Sequence, residues 1–305
     1  MTFWHLVFNN DRIGSKTRSA RQQNLNQTES RRGFTVYRMA SILEQIFAAK
    51  RAELSERLRQ APLEQVKDAA AHAPPPRDFI TALRRREPAI IAEVKRASPS
   101  KGDIFPGLDP AAVAQDYAAA GAVALSVLTD YHFKGRLEDL RAVRAVVQLP
   151  ILRKDFIFHQ YQLYETRAAG ADCILLIAAM LAPDDLSRLL MAAREIGLAA
   201  LVEVHNQDEL NRASRLGAEL IGINNRDLHT FKTTLSTTTE LLRSYSSSAL
   251  IVSESGIETA EQVRELYADG ARAFLMGESL LRGGAPHLAL ASLLKQFAEG
   301  APALR

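Results

Sequence analysis

The chain has 305 residues, 47% of them apolar, which is enough for one large barrel or two ordinary domains. Its formal net charge of +3 is unevenly held: residues 1–38 carry seven Lys/Arg against two Asp/Glu, leaving 31 basic and 33 acidic residues in 39–305. A body near −2 lacks the clustered basic surface of a nucleic-acid binder, and the longest apolar run, the ten residues CILLIAAMLA, is too short to span a bilayer.

Residues 1–38 read as a disordered basic extension. They are Arg-rich and acid-poor like a transit peptide but show no amphipathic period, and MTFWHLVF lacks the basic opening of a secretory signal. Met39 is a candidate translation start, because a structural unit begins directly after it. In SILEQIFAAKRAELSERL, Ser41 and Glu44 form an S-x-x-E capping box, and Leu43, Phe47, Leu54 and Leu58 mark an apolar face. The pattern predicts a helix over about 42–60.

A PPP break at 74–76 follows, and then one motif recurs: a helix closing on glycine, then a short apolar strand. Gly121, Gly170, Gly197, Gly217 and Gly270 stand at the closing positions, where a left-handed residue stops a helix and turns the chain. Strands are predicted near 89–95, 122–128, 149–154, 172–177, 199–204, 219–223, 249–254 and 272–276. Helix starts are signalled by Asp109-Pro110, by Pro183 and by Thr259 with Gln262. Strands apolar on both faces and alternating with helices indicate a parallel sheet. Eight such units predict an α/β fold, a single closed (β/α)8 barrel within residues 39–303 with an extra N-terminal helical segment; an open doubly wound sheet is disfavoured because no G-x-G-x-x-G follows the first strand. Cys173, the only cysteine, lies inside an apolar strand, which excludes an intrachain disulfide and reads as a buried structural thiol in a reducing compartment, the cytoplasm.

Barrel sites form at the C-terminal ends of strands, so those ends are read as a set. The first strand delivers Glu93 and Lys95, the third Lys154, the fifth Glu203, the sixth Asn224 and Arg226, and the seventh Glu254 and Ser255. Any single charge there is ordinarily the solvated rim of a sheet. Together they are more informative, because Glu93, Lys154, Glu203 and Glu254 each follow by two positions an apolar residue (Ile91, Leu152, Leu201, Val252) and share its face. Ammonium and carboxylate groups converging in a partly dry mouth suit general acid–base chemistry. Gly256 and Gly277 follow the seventh and eighth strands, where such barrels seat a phosphate on backbone N–H groups, and Ser98 and Lys95 stand across the mouth. Glu278 argues against an anion unless only its backbone faces the ligand.

The stretches IAEVKRASPSKG, LSVLTD, PILRKDFI, LVEVH, IGINNRDL, SESGI and FLMGESL, spread over about 89–281, resemble the indole-3-glycerol phosphate synthase family of tryptophan biosynthesis. The resemblance implies a cofactor- and metal-free lyase. It would close 1-(2-carboxyphenylamino)-1-deoxyribulose 5-phosphate, a sugar phosphate bearing an anthranilate ring, into indole-3-glycerol phosphate with loss of carbon dioxide and water. It implies Lys154 as general acid on the ketone, Glu93 and Glu203 as proton-handling or charge-stabilising groups, and Lys95 as anion binder or second acid. Asn224 and Glu254 would orient the substrate; Arg226, Ser255, Gly256 and Gly277 would lie around its polar and phosphate ends, with Phe133 and Leu228 as walls for the ring. Residues 1–38 have no counterpart in the family pattern.

The nearest rival is a Schiff-base aldolase using Lys154 or Lys95 on a keto sugar phosphate. Phosphoribosylanthranilate isomerase is disfavoured because EVK stands where that family's pattern has a cysteine. A non-catalytic phosphate sensor on the same barrel would be expected to lose Lys154 or Glu203, and both are present.

Overall fold

A computed structural model of the chain describes residues 42–98, 102–105, 107–228 and 230–300. The basic extension, Met39 and the capping residue Ser41 lie outside the described residues, as do the side chains of Leu43 and Glu44. Helix α1 spans Ile42–Gln60, the range its amphipathic pattern predicts, and is followed by α2 (Leu63–His72) and α3 (Phe79–Arg84). Asp78 caps α3 by accepting from the Thr81 N–H at 2.9 Å.

The eight barrel strands are β1 (Ala89–Val94), β2 (Ala124–Leu128), β3 (Ile151–Lys154), β4 (Cys173–Ile177), β5 (Ala199–Val204), β6 (Leu220–Asn224), β7 (Leu250–Glu254) and β8 (Ala273–Met276). Each pairs in parallel with the next, and β8 returns to β1 with Ala273 opposite Ala89, closing the barrel. Strand ends fall within two residues of the predicted ones; Lys95 stands one residue beyond β1. Helices Pro110–Ala120, Leu137–Val146, Gln160–Ala168, Pro183–Glu195, Gln207–Arg215, Ser236–Leu242 and Ala260–Asp269 connect them, and Glu278–Leu281 and Pro286–Gly300 follow β8. All five glycines at the closing positions have positive φ, between 69° and 120°. Asp109 accepts from the Ala111 N–H with Pro110 in the first turn, and Thr259 and Gln262 form a reciprocal capping box.

Strand parity sorts the core into two layers. Ala89, Ile91, Leu152, Leu175, Leu201, Leu220 and Val252 fill the barrel interior, while their neighbours Ile90, Leu125, Ile151, Ile174, Val202 and Ile221 pack against the helices. Cys173 is fully buried in the interior layer, where burial pushes its thiol well above the ordinary range. It is an inert packing residue.

Helix α1 is joined to the barrel by a closed ring of ion pairs. Lys50 reaches Glu53 and Asp155, each at 2.8 Å; Asp155 accepts from Arg153 at 2.9 Å; Arg153 donates to Glu165 at 2.8 Å; Glu165 accepts from Arg57 at 2.6 Å; and Arg57 returns to Glu53. Lys50 also pairs with Asp130 at 3.0 Å. Arg153, on the outward face of β3, is completely buried, so its charge is tolerable only because Asp155 and Glu165 surround it.

Candidate active site

The inward residues at the C-terminal ends of the strands rise from the apolar interior layer into one cavity of about 570 Å³. Lys154, at the end of β3, is one of the charged groups that line it. The ammonium lies 2.9 Å from Glu203 Oε2 of β5 and 3.3 Å from Glu254 Oε2 of β7, and all three side chains are largely or fully buried. Asn224, ending β6, donates its amide to Glu203 Oε1 at 3.1 Å and accepts the Arg226 N–H on its own oxygen at 3.0 Å. One side chain thus orients the carboxylate and fixes the start of the loop that carries Arg226.

After β1, Lys95 Nζ lies 2.7 Å from Glu93 Oε1; because β1 pairs directly with β8, Lys95 and Ser98 follow the strand beside the one that leads to Gly277, where the sequence reading put them across the mouth from it. Gly277, on the neighbouring strand end after β8, makes room for that carboxylate: a Cβ there would stand 2.8 Å from Glu93 Oε1 and 2.9 Å from Glu93 Cβ. Ser255 and Gly256, both at positive φ (68° and 78°), turn the chain sharply after β7, and the turn borders the cavity together with Gly277, Glu278 and Ser98. The Glu278 carboxylate is held by Arg282 at 2.8 Å. Phe133, Leu228, Phe156 and Ile177 add apolar surface to the cavity lining. All thirteen residues singled out in the sequence, six as catalytic and seven as binding, border this one space.

Burial works against the charge on Lys154, but the fields of Glu203, Glu254 and Glu93 outweigh it and hold the amine protonated, well above its usual range. Glu203 is treated in the opposite sense: burial would raise it, yet Lys154 and His205 keep it ionised far below the usual carboxylate range. Glu254 is different again. Burial, reinforced by the negative charges of Glu203 and Glu93, outweighs Lys154 and pushes it up to about 7. Three inward groups therefore present a fixed cation, a fixed anion and a carboxyl that exchanges its proton near neutrality.

Two features escaped the sequence reading. His205, quoted only as the last letter of LVEVH, places Nε2 at 3.2 Å from Glu203 Oε1. Asp130 and Asp155 border the cavity and are buried against Lys50 of α1. A signal for the latter was available: Lys50 falls three residues after Phe47 and four before Leu54, inside the apolar stripe, and a charge in that stripe needs buried partners. Among the described residues, no group of three or more His, Cys, Asp or Glu is arranged to hold a metal ion, and no helix is long and apolar enough to cross a membrane.

The family model for indole-3-glycerol phosphate synthase matches residues 43–293, the barrel and its leading helices. The chain belongs to the indole-3-glycerol phosphate synthase family. Relatives carrying that name include one from Chromobacterium violaceum, 48% identical over 84% of this chain and 98% of its own length. Another, from Roseiflexus sp. strain RS-1, is 51% identical over 80% of this chain and 94% of its own. A solved structure, the N-acetylmannosamine-6-phosphate 2-epimerase of Clostridium perfringens, superposes with a TM-score of 0.53 at 15% identity, covering 71% of this chain and 95% of that one. At that identity the likeness is one of fold. The synthase family's matched span includes every residue of the cavity described above.

Proposed function

We propose that the chain is an indole-3-glycerol phosphate synthase. It closes 1-(2-carboxyphenylamino)-1-deoxyribulose 5-phosphate into indole-3-glycerol phosphate, acting in the cytoplasm on this small sugar phosphate. The observation that carries the reading is the position of Lys154, a largely buried ammonium held between Glu203 and Glu254 in a cavity lined by both polar and apolar side chains.

The chemistry makes matching demands. The ring carbon bearing the carboxylate attacks the ketone carbon, and the developing alkoxide needs a proton donor. Lys154, kept charged by its carboxylates, is that donor. Carbon dioxide then departs, and the electron pair it leaves restores the aromatic ring. Loss of water requires a proton on the departing hydroxyl and removal of one from the carbon beside the nitrogen. Lys95 serves as the second acid, and Glu93, in contact with it, helps to handle the proton. Glu203 stabilises charge, since Lys154, Asn224 and His205 already occupy its oxygens. Glu254 and Asn224 orient the intermediates, and Glu254, poised near neutrality, can take up or release a proton as they form.

The aromatic ring lies against Phe133 and Leu228. The phosphate lies at the backbone of Ser255, Gly256, Gly277 and Glu278, with Ser98 and Lys95 facing it and Arg226 at the substrate's polar end. Because the Glu278 carboxylate is engaged with Arg282, its presence beside the anion is no obstacle. The Schiff-base alternative is disfavoured by electrostatics. A nucleophilic lysine must shed its proton, and Lys154 is surrounded by carboxylates that hold the proton in place.

The test is direct assay. The purified chain is expected to convert the aminoketose to indole-3-glycerol phosphate with release of carbon dioxide, and borohydride added during turnover is expected to trap no lysine adduct. Absence of indole-3-glycerol phosphate formation, or a reduced covalent adduct at Lys154, would overturn the assignment.

A further inference from the structure

His205 lies off the wall of the cavity, directly behind Glu203. Its two ring nitrogens meet two carboxylates from different elements. Nε2 is 3.2 Å from Glu203 Oε1 on β5, and Nδ1 is 3.2 Å from Glu209 Oε2 on the helix Gln207–Arg215. The backbone N–H of His205 donates to the same Glu209 oxygen at 2.8 Å, and Asn206 donates to the other at 2.7 Å. Glu209 is itself fixed by the helix start, because its N–H is capped by Asn206 Oδ1 at 3.0 Å. The run Glu203-Val-His-Asn-Gln-Asp-Glu209 therefore ties a helix N-terminus to a buried carboxylate in the active site.

A neutral imidazole has one N–H and one lone pair. Whichever nitrogen carried the lone pair would face a carboxylate, so only the doubly protonated ring satisfies both contacts. The Nε2 contact is off the line of a good hydrogen bond, which makes it chiefly charge on charge. The charged groups around the ring are Glu203, Glu209 and, beyond Glu203, Lys154.

We propose that His205 is a positioning residue: held as an imidazolium between Glu209 and Glu203, it keeps the Glu203 carboxylate ionised and aimed at Lys154. The inference rests on the synthase reading only for its kinetic arm. Its consequence is that Glu203 is an anchor for Lys154, with little tendency to accept a proton during turnover.

Two measurements test it. Long-range ¹H–¹⁵N spectra of the intact, unsubstituted protein at pH 8 are expected to show the His205 ring with both nitrogens protonated; a neutral ring at that pH overturns the proposal whether or not the chain makes indole-3-glycerol phosphate. In kinetics, His205→Gln keeps an amide donor and loses the charge, and is expected to lower kcat about 10-fold or more with KM changed less than about threefold. As Glu203 becomes easier to protonate, its own titration is expected to move upward and to enter the acidic side of the kcat/KM profile, below the limb that Glu254 sets near neutrality. Glu209→Gln, which leaves Glu203 and His205 in place, is expected to add a limb in the neutral range where the imidazole now loses its proton. Unchanged pH profiles in both variants, with folding verified by thermal melts, would reduce His205 to a packing residue.

Discussion

Glu254 occupies the space that a side chain on Gly222 would fill: a Cβ built on Gly222 collides with Glu254 Oε1 and comes within 3.1 Å of its carboxyl carbon. The two residues are on adjacent strands, β6 and β7, and the missing Cβ is what lets a buried carboxyl lie across the strand beside Lys154. Gly222→Ala is therefore expected to push Glu254 off its seat and to lower kcat by about 10- to 100-fold, the scale of an ångström-sized misplacement. Overpacking of this kind costs about 1–3 kcal/mol, which a denaturant titration would register. Wild-type kcat in this variant would show that the Glu254 position is immaterial.

Removing the ammonium is more drastic. Lys154→Ala takes away the donor to the ketone, and kcat is expected to drop by about 10²- to 10⁴-fold in steady-state assays of indole-3-glycerol phosphate formation. Because Glu203 and Glu254 are left buried without their cation, the variant is also expected to be less stable at pH 8 than at pH 5, where Glu254 is neutral.

The raised Glu254 gives a pH dependence whose sign can be worked out. In the unfolded chain the carboxyl titrates near its ordinary 4.5, and in the folded protein near about 7. Between those values the native state holds the extra proton. The stabilising contribution is thus complete below the unfolded value and is lost as pH rises through the folded one. Melting temperatures of the wild type, compared with those of Glu254→Gln, are expected to show a decline from pH 5 to pH 8 that the variant lacks. The same substitution should erase a limb near neutrality from the pH–rate profile.

Lys50 sits far from the reacting atoms in sequence but buttresses the cavity wall through Asp130 and Asp155. Replacing it with Met preserves the stem and removes the cation shared by Asp130 and Asp155, which keep His132 and Arg153 as their ion-pair partners, a loss of up to about 3–5 kcal/mol, equivalent to as much as roughly 6–20 °C in melting temperature for a domain of this size. A variant that melts within about 2 °C of wild type would mean that the ion-pair ring contributes nothing to docking α1.

Most of this architecture could be read along the chain. Alternation of side chains on a strand placed Glu93, Lys154, Glu203 and Glu254 on the same face as the apolar residues two positions earlier, and the structure puts those residues inside the barrel. Glycine after five of the seven connecting helices marked where those helices stop and the next strand approaches, because a residue at ease with positive φ turns the chain there. His205 and Asp155 were visible as letters but not as participants, since nothing local distinguishes a histidine after a strand from a solvated one.

What the sequence alone determined, then, was periodicity: which residues face inward, how many strands close the barrel, and which charges reach its mouth. These follow from backbone geometry repeated over a few residues. The tertiary structure decided the pairings and the protonation states. Lys154 meets Glu203 and Glu254 across 49 and 100 positions of chain, and Lys50 meets Asp155 across more than a hundred. Whether a carboxyl is held ionised, as Glu203 is, or lifted to about 7, as Glu254 is, depends on burial and on charges brought through space. Two glutamates with the same local setting at the end of a strand therefore acquire opposite character only once the barrel closes.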